Sequence, residues 1–103
     1  MQAFVALADD TRLGIVEALG EREASVGELV ALFHLSQPAI SQHLKVLRRA
    51  GLVRVRPQAQ RRIYSIDPKG LRELDSWLEP YRRFWASRLD RLERHMDEEE
   101  GKA

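Results

Sequence analysis

The polar side chains whose types and spacing could do chemistry lie in the segment SQPAISQHLKVLRRAG, which begins at Ser36. On a helical wheel of 100° per residue, one side of this segment carries an amide and two cations but no acid. The residues on that side are Pro38, Gln42, Lys45 and Arg49, with Ser41 and Arg48 on one flank. Such a row suits the major groove of duplex DNA, where amides and hydroxyls bond base edges and cations bond guanine or phosphate.

A helix must present this row, and the same segment contains the signals that would form it. Ser36 can cap the helix, and a proline is tolerated in the first turn, so the helix is predicted to start at about Gln37. Three apolar side chains fall on the opposite side of the wheel and are predicted to be buried. They are Ile40, Leu44 and Leu47. Gly51 then supplies the left-handed residue that commonly ends a helix.

Glutamine, lysine and arginine are common on any solvated helix face, so the row alone would favour an ordinary solvent-exposed face rather than a DNA-binding one. The charge pattern around it changes the balance. Residues 36–66 contain seven lysines or arginines and no acid, whereas the rest of the chain carries ten basic and sixteen acidic residues, a formal charge of −6. A nearly neutral chain that segregates its charge in this way indicates a surface for a polyanion.

The flanking segments predict a supporting helix and a β-hairpin. Ser25 and Glu28 match a capping box for a mostly buried helix over 26–33, and residues 34–36 form a turn short enough to force a steep crossing. After Gly51 the apolar period changes to two, so residues 53–56 and 62–66 are predicted to be strands joined by a turn over 57–60. The hairpin must pack on the helices through Val53, Val55, Tyr64 and Ile66.

The two ends of the chain are predicted to be helical and to mediate dimerisation. Phe4, Val5 and Leu7 open a short apolar helix, Asp9 can cap a second one, and Asp67 followed by Pro68 begins the last helical region. Pro80 is expected to kink or restart that region. Beyond it, apolar residues recur at the three- and four-residue spacing of a helix packed along another helix. Packing of this stripe on the same chain is the alternative, but a domain of 103 residues has little apolar surface left over to cover a stripe of this length.

Bulk properties favour one small domain over residues 1–98, followed by a frayed acidic tail over 99–103. The absence of cysteine excludes disulfides and thiolate metal sites. No apolar run approaches a membrane span, and the N-terminus lacks a basic segment followed by an apolar one, so we expect a cytoplasmic protein without a membrane partner. No catalytic constellation is present, because Ser41 and His43 cannot face each other on a helix.

The segment SVGELVALFHLSQPAISQHLKVLRRAGLVRVR, followed by RRIYSI, resembles the winged helix-turn-helix of the ArsR/SmtB family of bacterial repressors. The opening FVALADDTRLGIVEAL resembles the first helices of that family, and DPKGLRELDSWLEPYRRFW resembles its metal-independent, SdpR-like branch. The resemblance covers roughly residues 2–68. Asp10 stands where the family usually has proline, and Gln58, Ala59 and Gln60 stand where it commonly has glycine at the wing tip.

The resemblance implies a mainly helical fold with a small β-hairpin (α+β), dimeric through its terminal helices, that binds a pseudo-palindromic duplex without a cofactor. Metal-sensing members carry cysteines where this chain has Ser25 and Gly27, and of a second family site only His95 and Glu98 remain. The residues predicted near DNA bases are Gln37, Ser41, Gln42, His43 and Lys45. The residues predicted on phosphates are Ser36, Arg49, Arg54, Arg56, Arg61 and Arg62. The residues predicted at the dimer interface are Phe4, Leu7, Leu78, Tyr81, Trp85, Leu89, Leu92 and Met96.

Two other functions remain open at this stage. The chain could be a repressor that responds to a metal or ligand through side chains that converge only in the fold. It could also be a protein–protein interaction module whose basic block meets an acidic partner, because the winged helix fold serves both purposes. For His43, a partly buried side chain bonded to the backbone competes with a role in DNA contact.

Overall fold

A computed structural model describes residues 2–102 of the chain. Within them the chain forms five helices and three short strands. The helices are α1 (Gln2–Leu7), α2 (Asp10–Glu21), α3 (Val26–Phe33), α4 (Gln37–Arg49) and α5 (Pro68–Lys102). The strands are β1 (Ala24–Ser25), β2 (Val53–Gln58) and β3 (Arg61–Ile66). Helices α3 and α4 are the helix-turn-helix, and β2 and β3 are the wing.

The predicted capping residues start the helices. Asp9, Ser25 and Ser36 precede α2, α3 and α4, and each accepts a hydrogen bond from a backbone N–H in the first turn. The carboxylate of Asp67 accepts a bond of 3.0 Å from the Lys69 amide at the start of α5. Ser25 and Glu28 form the complete capping box, with bonds of 3.0 and 3.1 Å. Each bond satisfies an amide that has no partner inside its own helix.

The core lies where α1, α2, α3, α4 and the wing meet. The three predicted α4 anchors, Ile40, Leu44 and Leu47, are each at most 1% exposed, so their prediction is confirmed. They pack with side chains of the other elements, among which Ile15, Leu29 and Leu52 are fully buried. Because α4 is anchored along this stripe, its opposite side must face outward.

Helix α3 is less buried than its apolar sequence predicts. Leu29 is 1% exposed and two neighbouring apolar side chains are half-buried, but Leu32 is 58% exposed. A helix of eight residues at the surface can turn only one face to the core, and α3 packs mainly on α4. The prediction of a mostly buried helix is therefore wrong for Leu32.

The wing belongs to a three-stranded antiparallel sheet rather than to an isolated hairpin. The strand order is β1-β3-β2, with Ala24 opposite Tyr64 and Ser25 opposite Ile63. Sequence reasoning missed β1 because two residues cannot show a period of two. The predicted packing face is confirmed: Val53 and Tyr64 are buried, and Val55 and Ile66 are half-buried against the core.

The wing tip is tighter than predicted. Pro57 and Gln58, assigned to the turn by the sequence, continue β2 opposite Arg62 and Arg61. Proline is tolerated there because β2 is an edge strand. The loop is left with Ala59 and Gln60, and Ala59 has a φ of +56°, a conformation that glycine adopts more easily.

Helix α5 continues through Pro80 as one helix, which settles the choice between a kinked helix and two helices. Three ion pairs straddle the proline and link residues on either side of it. They join Arg82 to Asp75 at 3.0 Å, Arg82 to Glu79 at 2.6 Å and Arg83 to Glu79 at 2.9 Å. The helix also includes residues 99–102 of the predicted frayed tail, where Glu99 pairs with His95 at 3.0 Å. Ala103 lies outside the described residues.

The start of α5 is fixed to the end of α4 by two glycines in close contact. Gly51, with φ of +75°, accepts a hydrogen bond of 3.0 Å from the amide of Gly70. A Cβ at Gly70 would lie 2.3 Å from the carbonyl oxygen of Gly51, which is backbone and cannot rotate away. Glycine at position 70 therefore sets the direction in which α5 leaves the body of the protein.

Replacing Gly70 by alanine is expected to lower the free energy of unfolding by about 1 to 3 kcal/mol, because a core that is overfilled must shift its backbone. Gly20→Ala is the matched control: a Cβ there meets nothing within 4 Å, and alanine favours a helix. Urea unfolding at one fixed protein concentration measures both variants. Equal midpoints for Gly70→Ala and the wild type would contradict the contact.

Candidate nucleic-acid interface

The polar row of α4 is exposed as the sequence predicts. Gln42, Lys45 and Arg49 all face solvent, as do Gln37 and Ser41. The side-chain oxygen of Ser36 accepts a bond of 3.3 Å from the Ala39 amide, so Ser36 lies at the helix start with its hydroxyl already engaged. A helix anchored by an apolar stripe and bearing amide, hydroxyl and cationic groups outward has the shape and chemistry of a recognition helix.

A basic depression of about 330 Å³ lies between α4 and the wing. We call it the α4–wing depression; its lining residues are Val26, Gln37, Ser41, Lys45, Arg48, Arg62 and Tyr64. Three of them are cations and none is an acid. Within residues 2–102, neither Lys45, Arg48 nor Arg62 takes part in an ion pair, so their charge is available to an anion.

Arg48 was not among the predicted DNA-binding residues, but the structure places it in this depression. A signal was present in the sequence. Ser41, Lys45 and Arg48 are spaced by four and three residues, which puts them on one helical stripe. This stripe lies on the side of α4 that faces the wing. Only the folded structure shows that it lies near Arg62 of the wing.

The four wing arginines lie on two faces of the sheet. Arg62 shares a face with Tyr64, which packs toward the core, and it enters the α4–wing depression. Arg54, Arg56 and Arg61 alternate with the core-facing residues and so lie on the reverse face. The sequence had grouped all four as phosphate ligands, and the register separates one from the other three.

Two arginines on the reverse face already have acidic partners. Arg56 forms an ion pair with Glu23, and Arg61 forms one with Glu28 at 2.8 Å. Arg61 also donates a bond of 2.9 Å to the hydroxyl of Ser25. The absence of acids between residues 36 and 66 therefore does not describe the folded wing, because Glu23 and Glu28 reach it from an earlier part of the chain.

Glu28 stays ionised over a wider pH range than an ordinary glutamate. Its pKa is lowered, first by the hydrogen bond from the backbone of Ser25, then by the Ser25 hydroxyl and by the charge of Arg61. A lowered pKa means that these interactions are complete at neutral pH and are lost only as the pH falls through that lowered value. Glu28 is therefore charged, and able to pair with Arg61, at neutral pH.

His43 lies half-buried at the edge of the row and contacts the protein itself. Its Nδ1 is 3.3 Å from Nη1 of Arg12, a residue of α2. The partial burial agrees with the competing interpretation, but the contact is with the Arg12 side chain rather than with the backbone, and Nε2 is the atom that Arg12 does not use. The sequence does not indicate this contact of Arg12, because His43 lies 31 residues away along the chain.

The positions of the family's metal sites do not assemble a ligand set here. Ser25 is buried in the capping box, and Gly27 has no side chain. His95 pairs with Glu99 rather than with Glu98, with which the sequence had grouped it. Across the part of the chain that the structure describes, no three His, Asp or Glu side chains group closely enough to hold a metal ion.

The second exposed feature is an apolar stripe along α5. Tyr81, Trp85, Leu89, Leu92 and Met96 are between 50% and 57% exposed and are not part of the hydrophobic core of their own chain. We call these five residues the α5 stripe. The alternative of packing on the same chain is therefore not what the fold adopts. The other predicted interface residues lie closer to the body: Leu7 and Leu78 are half-buried, and Phe4 is 37% exposed.

Aromatic contacts connect the α5 stripe to α1. Phe4 packs edge-on against Trp77 at 4.9 Å between ring centroids, and Trp77 stacks on Tyr81 at 4.8 Å. Phe84 packs edge-on against Trp85 at 5.2 Å. Trp77 and Phe84, 46% and 51% exposed, were left out of the predicted interface because they lie beside the strict helical spacing. With them the exposed surface is wider than the prediction.

The helix-turn-helix, the flanking wing and the cationic outer surface of α4 define a winged helix-turn-helix DNA-binding protein. Residues 9–55 match the model of the family described as bacterial regulatory protein, arsR family. The chain belongs to the ArsR family of transcriptional regulators. Within residues 2–102, no helix is long and apolar enough to cross a membrane.

Individual relatives agree with this assignment over nearly the whole chain. The chain is 46% identical over 98 residues to the HTH-type transcriptional regulator Rv2034 of Mycobacterium tuberculosis, covering 95% of this chain and 89% of that protein. The crystal structure of a possible transcriptional regulator for arsenical resistance superposes with a TM-score of 0.74 at 40% identity, covering 89% of this chain and 93% of that one.

A third similar structure concerns assembly. It is the homodimeric winged helix-turn-helix DNA-binding domain of Mb0332 from Mycobacterium bovis, a possible ArsR-family regulator. It superposes with a TM-score of 0.65 at 25% identity and covers 78% of this chain and 74% of that one.

Proposed function

We propose that this chain is a homodimeric repressor that binds a pseudo-palindromic operator without a metal cofactor, as in the SdpR-like branch. The observation that carries the proposal is the outer surface of α4, which is exposed, free of acids and continuous with the α4–wing depression. A helix of this kind reads base edges in a major groove while the adjacent cations hold the phosphate backbone. Such a regulator acts in the bacterial cytoplasm, where the chromosome lies.

Each residue of the surface has a proposed role. Gln37, Ser41, Gln42 and Lys45 reach base edges, because they lie on the exposed sides of α4. Lys45 also borders the α4–wing depression, in which Arg48 and Arg62 bind phosphate. Arg49 binds phosphate at the C-terminal end of the helix, on the side that faces α1. Ser36 offers its remaining hydroxyl hydrogen to a phosphate at the start of the helix.

The reverse-face arginines have a smaller proposed share in DNA binding. Arg54 donates a bond of 3.3 Å to the carbonyl oxygen of Ile66 and is otherwise exposed, so it binds phosphate beside the wing. Arg56 and Arg61 reach phosphate only by exchanging Glu23 and Glu28 for it. Because the acids already supply a charged partner, that exchange gains less affinity than a contact made by an unpaired cation.

Dimerisation through the α5 stripe places two copies of α4 on one face of the assembly. A two-fold axis makes the two half-sites inverted repeats, spaced about one helical turn or roughly 34 to 36 Å apart. Dimerisation also explains why the α5 stripe is exposed in a single chain, since contiguous apolar surface on a protein of this size marks an interaction site. A dimer that occupies a promoter represses by excluding polymerase.

Selection of bound sequences from random duplex DNA tests the proposal as a whole. The expected result is an inverted repeat with half-sites centred one turn apart. Enrichment of a single unrepeated site would contradict the dimer, and no enrichment above random DNA would contradict sequence-specific binding. The second outcome, together with binding to an acidic protein partner, would favour the interaction-module function.

Replacing Gln42 by alanine is expected to lower discrimination at one base pair of each half-site by about 1 to 3 kcal/mol, the range for a bidentate amide–adenine contact. Competition binding with operators altered one base pair at a time measures it. Gln58→Ala, an exposed glutamine on the wing, is the control and should leave every base preference unchanged. A uniform loss of affinity across all operators would contradict the assignment of Gln42 to a base.

A repressor that responds to metal is the second candidate. Its distinguishing test is a titration of Zn²⁺ against the DNA complex, followed by fluorescence anisotropy. The proposed function requires the complex to persist at low micromolar metal. Release at that concentration would favour the metal-responsive repressor and would direct attention to ligands contributed jointly by two subunits.

A further inference from the structure

Arg12 joins three elements that the sequence does not connect. Its Nε donates a hydrogen bond of 2.6 Å to the carbonyl oxygen of Ala6 at the end of α1. Its backbone amide donates to the Asp9 carboxylate that caps α2, and its Nη1 lies 3.3 Å from Nδ1 of His43 on α4. The side chain is 18% exposed, so it makes these contacts within the protein rather than at its surface.

The contact determines which atoms of His43 carry hydrogen. A guanidinium has donors and no acceptor, so Nη1 must donate and Nδ1 must accept. Nε2 is then the remaining polar atom of the ring. His43 follows Gln42 directly on α4, so a bond that fixes its ring also restrains the rotation of the helix about its own axis.

The other end of Arg12 leads to the α5 stripe. Helix α1 has six residues, and its last carbonyls have no partner inside the helix, so a charge-assisted bond to Ala6 holds its end in place. Phe4 of the same helix packs against Trp77 on α5. Arg12 is thus the polar connection between the elements that carry the exposed aromatic surface and the helix that bears the row.

We propose that Arg12 is a positioning residue for DNA recognition, which acts through His43 to set the orientation of α4 in the groove. The inference rests on the proposed function. It requires that loss of Arg12 lowers discrimination between sequences, because Gln42 and its neighbours meet the base edges at the wrong angle. General affinity for DNA is retained, because the cations of the α4–wing depression do not depend on Arg12.

Arg12→Lys is the test substitution, since lysine keeps the positive charge but a single ammonium cannot span both Ala6 and His43. Binding of the full chain is measured on the operator obtained by selection and on a scrambled duplex, at several salt concentrations. The preference for the operator is expected to fall about tenfold, within the range for misaligning a base contact. Affinity for the scrambled duplex and the salt dependence should not change.

Three further variants separate this role from a general loss of structure. His43→Ala should lower the preference for the operator by a similar factor. The double variant should lose no more preference than the more affected single variant, because the two residues act in one pathway. Arg22→Lys, at an exposed arginine just after α2, should match the wild type. Melting temperatures are recorded for all four.

The outcomes distinguish this inference from the function on which it rests. Additive losses in the double variant, or equal losses on both duplexes in step with the melting temperature, would overturn the positioning role. So would a wild-type preference in Arg12→Lys. If the wild-type protein itself does not prefer the operator over the scrambled duplex, the proposed function fails, and the inference fails with it.

Discussion

Replacing Arg48 and Arg62 together by alanine is expected to weaken binding to every duplex, operator or random, by at least about a hundredfold per subunit at low salt. The estimate follows from two hydrogen bonds between charged groups, each contributing about 1.5 to 3 kcal/mol. The slope of log affinity against log salt should fall by about 1.8 per subunit, because each phosphate contact contributes about 0.9. Base preferences should be unchanged, since neither side chain is assigned to a base.

The wing itself supplies the matched control for this prediction. Arg56→Ala with Arg61→Ala removes the same number of cations, but from the reverse face, where Glu23 and Glu28 already neutralise them. Their effect on affinity and salt slope should be clearly smaller. A loss in the control pair that equals or exceeds the loss in Arg48 and Arg62 would show that the wing reaches DNA through its reverse face.

The contrast between these two pairs shows where sequence reasoning succeeds and where it ends. The orientation of α4 was predictable because one helix carries both its anchors and its row, and a period of 3.6 residues relates them. The stop at Gly51 and the caps at Ser25 and Ser36 were also local signals, readable within four residues. Each of these predictions is confirmed in the structure.

Features that join distant parts of the chain could not be predicted in this way. The pairing of β1 with β3 brings Glu28 to Arg61, and nothing in the sequence of the wing indicates that partner. The bond from Arg12 to His43 spans 31 residues. The contact of Gly70 with Gly51 depends on the direction of α5, which the same contact establishes. In each case the contact joins two residues that carry no local sequence signal, and it exists only because the helices and strands pack together.

Helix α5 shows a different reason for an incomplete prediction. Pro80 removes one helical hydrogen bond, which favours a break. From Tyr81 to Gly101 every residue is exposed, so a break at Pro80 would gain no packing against the body of the protein. The helix therefore continues. Ion pairs across the proline support the continuous helix. A long exposed helix with an apolar stripe is better explained by a second subunit than by one chain.

Replacing Leu89 by lysine is expected to separate the dimer and, with it, to abolish tight operator binding. Leu89 is 57% exposed in one chain and lies in the middle of the α5 stripe. Each buried leucine contributes about 1.5 to 3 kcal/mol, and a two-fold interface loses two of them. Two ammonium groups buried in one interface add several kcal/mol of desolvation. The dissociation constant of the dimer should therefore rise on the order of a thousandfold or more.

Ser87→Lys is the control, because Ser87 is exposed and lies on the opposite side of α5 from Leu89, so it adds the same charge away from the stripe. Sedimentation velocity at micromolar concentration should show a dimer for the control and a monomer for Leu89→Lys. The monomer should still bind a single half-site weakly, because α4 and the wing are built entirely within one chain. A Leu89→Lys protein that remains dimeric would place the subunit contact elsewhere, and a wild-type protein that sediments as a monomer would contradict the dimer. Retention of full operator affinity by a monomeric variant would instead show that tight binding does not require two linked recognition helices.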